Sequence, residues 1–127
     1  IQGSGNRPTL LPRVVMVSEI RRAVEPVAGL ARFVNQSSTF PGSMASVYET
    51  CRTSLDGLQR YAGKDERPLL SQAQEAVAII RTMDRLSRSR TASDDGSLYD
   101  TQMEFLKLFN AVATQLEASG EILRQPR

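Results

Sequence analysis

Apolar residues recur along this chain at the spacing of one helix face, and four stretches carry the signal. In the last of them Leu98, Phe105, Leu106, Phe109, Val112, Ala113, Leu116 and Leu123 form a stripe, with Asp100, Glu104, Lys107 and Glu117 mostly outside it. The spacing is that of an α-helix. Two phenylalanines and several leucines on one face must be buried against partners. The first stretch supplies one partner through Leu10, Val14, Val17, Ile20, Val24, Val27, Ala31 and Val34. Thr9 is its expected cap and Pro12 falls in its first turn. Pro26 interrupts this stripe without shifting its phase, which predicts one kinked helix rather than two.

The second stretch runs from about Met44 to Ala62 on Met44, Val47, Tyr48, Cys51, Leu55 and Leu58. Gly63 is expected to end it in a left-handed conformation. Gly57, which weakens a helix interior, is expected to mark a close helix approach. The third covers about Arg67 to Ser87, on Leu69, Ala73, Ala76, Val77, Ile80 and Met83, widened by Leu70, Ile79 and Leu86. Ala73 and Ala76 leave room for a neighbouring helix.

Three connections are expected: Asn35 to Ser43, Lys64 to Pro68, and a polar linker from Ser87 to Gly96. Ser97 and Asp100 then resemble a capping box for the last helix. These elements predict an all-α fold, an antiparallel (up-down-up-down) four-helix bundle with its first helix kinked at Pro26. A helix pair exchanged between two chains has the same local pattern, so a homodimer is the alternative.

The chain has 127 residues, about one domain's worth, and 40% hydrophobic and 24% charged residues, as in ordinary globular proteins. Residues 1–8 read as an expression scar and polar lead-in. Residues 9–125 read as a single helical-bundle domain, expected to be a fragment of a longer protein. The net charge of +2 does not by itself call for nucleic acid. Its distribution is uneven: residues 1–64 carry eight Lys/Arg against four Asp/Glu, and residues 65–127 carry eight against ten. The two halves therefore attract. Cys51 is the only cysteine, so no internal disulfide forms, and on an apolar face it is expected to act as a small hydrophobe. The longest apolar run, Ala76 to Ile80, is far too short to span a membrane.

With no histidine in the chain, the commonest general base and the usual zinc or haem ligand are missing. No metal site and no cofactor are expected. Asp94, Asp95 and Asp100 lack the regular oxygen-ligand spacing of a calcium loop and read as a solvated linker and helix start. Gly3 and Gly5 lack the strand before and the Lys-Ser/Thr after that a phosphate loop needs. No serine has a histidine to activate it, and the only lysines, Lys64 and Lys107, have no nameable partner.

Arg81, Arg85, Arg88 and Arg90 are the most distinctive polar series, and the first three share a helix face. They are candidates for binding an anion or a partner, against the plainer reading of cations favoured at a helix C-terminus. No aromatic residue interleaves with them for stacking on single strands, so nucleic acid is not favoured. Arginines three and five positions before Ser93 resemble the pattern read by basophilic kinases, which makes Ser93 a candidate phosphorylation site.

The leading expectation is a cytoplasmic, non-enzymatic interaction module that binds an amphipathic protein or peptide segment. In architecture alone it is similar to the focal-adhesion-targeting and vinculin-like adaptor bundles. The alternatives are an anion- or nucleic-acid-associated regulatory domain built on the arginine series, and a bundle that senses a small ligand.

Overall fold

The computed structural model describes residues 10–36, 43–88 and 92–124, with side chains of the last stretch over 96–119. Within them run α1 (Arg13–Asn35), α2 (Met44–Leu58), α3 (Arg67–Arg88) and α4 (Ala92–Arg124), and no strand occurs among the described residues.

Each helix start has a local cause. Pro12 sits just before α1, at φ −56° and ψ 151°, where its fixed φ suits the turn and its missing N–H costs nothing. Met16 N–H donates to the Pro12 carbonyl, and Leu11 N–H donates to the Tyr61 carbonyl, both at 2.9 Å. The second bond ties the chain ahead of α1 to the turn that follows α2. Thr9, the expected cap, lies outside the described residues. Pro26 lies inside α1, which runs through it unbroken. At α2 the Ser43 hydroxyl accepts from the Ser46 N–H at 3.3 Å, an N-cap that satisfies one orphan donor.

Several expectations are corrected. α2 stops at Leu58 and finishes in a 3₁₀ turn, Gln59–Tyr61, rather than running to Ala62. Gly63 is not left-handed. Ala62 turns the chain out at φ −79° and ψ 129°. The Gly63 carbonyl then accepts from Glu66 N–H at 3.2 Å and Arg67 N–H at 3.1 Å, so this residue begins α3 rather than ending α2. Gly57 is exposed with nothing within 4 Å of an added Cβ, so it marks no close approach. The expected linker from Ser87 to Gly96 is mostly helix, because α3 continues to Arg88 and α4 starts at Ala92. Ser97 therefore lies inside α4, where its carbonyl accepts from the Thr101 hydroxyl at 2.8 Å.

The core is built by the predicted stripes. Ile20, Val27 and Leu30 of α1, Cys51 and Leu55 of α2, Leu70, Ile80 and Met83 of α3, and Phe105 and Val112 of α4 are all nearly or fully buried. Ala73 and Ala76 are buried too, as their small size suggested. α1 departs from its expected face at the start: Met16 is buried, while Leu10 and Val14 are 55% and 53% exposed. Consecutive helices pack along the chain, α4 packs back on α1, and α1 reaches α3 across the middle. Side-chain bonds join neighbouring helices, from Gln74 to Asp56 at 3.1 Å between α3 and α2, and from Gln115 to Gln72 between α4 and α3. No helix among the described residues is long and apolar enough to cross a membrane.

Candidate partner-binding groove

Where α1 meets α4 the two apolar faces do not close. α1 presents Arg21, Val24, Glu25 and Ala28, the three-, four- and seven-residue steps of one helical stripe. α4 answers with Phe109, Ala113, Leu116 and Glu117. The open space between them measures about 540 Å³, within the range of clefts that hold ligands. Two alanines, Ala28 and Ala113, are among its lining residues. At these two positions each helix carries only a methyl.

Val24 and Leu116 form the buried floor. Phe109 is half-buried in the wall, and its ring stacks on that of Phe105 with centroids 6.3 Å apart and planes at 23°. Burial of both phenylalanines, expected from their shared stripe, is therefore only partial for Phe109. Phe105, one turn earlier, is the fully buried ring, and it holds Phe109 in place at the groove.

The lips are charged. Glu25 on α1 and Glu117 on α4 are exposed. Arg21 reaches across one end, its Nη2 donating to the Leu116 carbonyl at 2.9 Å. That bond ties α1 to the main chain of α4. A second hollow, about 200 Å³ between α2 and α3, is lined partly by Arg52, Asp56 and Gln74. Its polar groups already serve one another: Arg52 lies 3.8 Å from both Glu49 and Asp56, and Gln74 bonds to Asp56.

The residues singled out from the sequence lie elsewhere. Arg81, Arg85 and Arg88 are exposed on α3, away from the groove helices. Arg88 Nη2 pairs with Asp84 Oδ2 at 3.2 Å, and Asp84 interrupts the basic face. Arg90 lies outside the described residues. Ser93 falls in the first turn of α4, its side chain outside those described. Among the described residues no three His, Cys, Asp or Glu side chains gather as a metal site would require.

Cys51 is fully buried against α1. Burial pushes its thiol up to about 11, opposed by a hydrogen bond with the Val27 backbone. Such a group stays a neutral thiol at physiological pH and is a poor nucleophile.

The sequence missed Arg21, Glu25 and Glu117 because they lie at the margins of their stripes. The available signal was Ala28 and Ala113, small residues on otherwise bulky faces, but it becomes readable only when α1 is known to face α4. Compared with protein-family models, curated proteins and solved structures, the chain matches none.

Proposed function

We propose that this bundle is a non-catalytic interaction module that takes an amphipathic segment of another protein into the α1–α4 groove. The observation that carries this reading is an accessible apolar trough with a half-buried phenylalanine in its wall. Apolar surface of this kind gains by leaving water, and a partner side chain seated on Val24, Phe109 and Leu116 would supply that gain.

The reading includes an antiparallel, up-down-up-down bundle. It is supported by bonds that match the late part of one helix with the earlier part of its neighbour, Asp56 of α2 with Gln74 of α3, Gln115 of α4 with Gln72 of α3, and Leu116 of α4 with Arg21 of α1. A bend of α1 at Pro26 belongs to it, since the carbonyl of Arg22 loses its intrahelical donor there. So does a cytoplasmic setting, in which a lone buried thiol stays reduced. Phosphorylation of Ser93 would add charge in the first turn of α4, where the helix dipole favours a negative group.

The test is a titration of the isotope-labelled chain with a synthetic amphipathic peptide carrying leucines at helical spacing. Resonances of Val24, Ala28, Phe109 and Ala113 should move first and saturate together. Shifts confined to the α2–α3 side would overturn the reading.

A further inference from the structure

Resting on that reading, we infer that the groove's partner is a basic amphipathic α-helix, with Lys or Arg on both sides of its apolar stripe. Two observations carry the inference.

The first concerns the backbone. Both walls are helices, whose N–H and C=O groups are satisfied internally except at Pro26. Pro26 and Arg22 line the side of α1 toward α2 rather than the groove. An extended peptide would find no strand edge with which to pair and would leave its own backbone groups unsatisfied at an apolar surface. A helix brings its hydrogen bonds with it. From Arg21 to Ala28, and from Phe109 to Leu116, each wall advances seven residues, about 10 Å at 1.5 Å per residue. That length takes about two turns of a partner, with apolar side chains at helical spacing.

The second concerns charge. One carboxylate stands on each lip, Glu25 on α1 and Glu117 on α4, both exposed. Among the described lining residues the one cation is Arg21, at the end of the trough, where it donates to the Leu116 carbonyl, so the two carboxylates leave the lining net negative. A helix lying in the trough therefore brings its two flanks against one carboxylate each. Lysine and arginine suit those flanks doubly. Their aliphatic stems can lie over the methyls of Ala28 and Ala113, while their charged heads reach the carboxylates in water. A partner with acidic flanks would meet like charge on both sides.

The experiment uses the full chain and two synthetic helical peptides of about four turns. They share one leucine stripe and differ only in carrying lysine or glutamate on its flanks. Binding is read by fluorescence anisotropy at about 0.05 M and about 0.5 M salt, and the site by Phe109 ring resonances. The lysine peptide should bind about five- to tenfold more tightly at low salt, the gap should narrow at high salt, and the Glu25→Lys/Glu117→Lys variant should reverse the order. Both positions are exposed, so circular dichroism should report an unchanged fold. Equal binding of both peptides at the groove would overturn the basic partner while leaving the interaction module standing. A lysine peptide with a central proline that binds as well as its parent would overturn the helical partner. Failure of every peptide to move the Phe109 resonances would overturn both the inference and the reading it rests on.

Discussion

Phe105 and Phe109 occupy equivalent places in the apolar pattern of α4, one turn apart, yet their surroundings separate them. Phe105 meets the core on all sides, whereas Phe109 has the groove on one side. Phe105→Ala should therefore cost about 3–5 kcal/mol, as for a fully buried ring, and Phe109→Ala about half as much. Urea melts of the two variants check the order, and equal losses would mean that the groove is closed in solution. Cys51 carries a pH signature of its own. Its folded-state thiol titrates near 11 rather than at the ordinary value of 9.0. The folded state thus holds its proton after the unfolded chain has lost it. The stability tied to the neutral thiol is fully present below pH 9 and is lost as pH rises through 11. Two pKa units correspond to roughly 2–3 kcal/mol. Cys51→Val, close in volume and unable to ionise, should lose less stability between those limits than the parent does. Parallel curves for the two proteins in alkaline denaturant melts would remove the effect.

At the scale of the element, the sequence was legible in helix interiors and misleading at their ends. Periodic stripes locate α1, α2 and α3 to within a few residues, because burial repeats every turn. Ends depend on a few hydrogen bonds, and there composition competes with position. Ser93, Asp94, Asp95 and Gly96 read as linker because Ser, Asp and Gly are weak formers of helix interiors. Acidic residues are nevertheless favoured in a first turn, and that is where α4 places this run. At the close of α2 the competing feature is the Gly63 carbonyl, which the backbone of α3 uses as its starting acceptor. Gly96 offers a direct check. It lies within α4, is exposed, and has nothing within 4 Å of an added Cβ. Gly96→Ala should stabilise the protein by about 0.5–1 kcal/mol, since alanine loses less backbone entropy in a helix. A substitution without effect in thermal melts would return the residue to a flexible connection.

For the whole molecule, the informative feature is which faces meet. Each stripe says that a face is buried, and none says against which neighbour. The core was therefore legible in the sequence, and the groove was not, because it is lined from two helices, α1 and α4, whose juxtaposition no stripe reveals. The same seam is held by the Arg21 bond to the α4 main chain, so the place where the bundle closes is also where it stays open. If that vacancy serves binding, filling it should trade function for stability. The variant Ala28→Leu/Ala113→Leu puts two larger apolar side chains into space that is now solvent, over the floor of Val24 and Leu116. Each newly buried methylene contributes about 0.8 kcal/mol, less whatever strain the new rotamers bring. The double variant should melt higher than the parent, by roughly 1–3 kcal/mol in urea titrations, and should no longer bind the amphipathic lysine peptide. Loss of binding with a lowered melting temperature would mean that the space is too small for both side chains and that the bundle has been forced apart. Binding retained in a more stable variant would move the partner surface away from the α1–α4 seam.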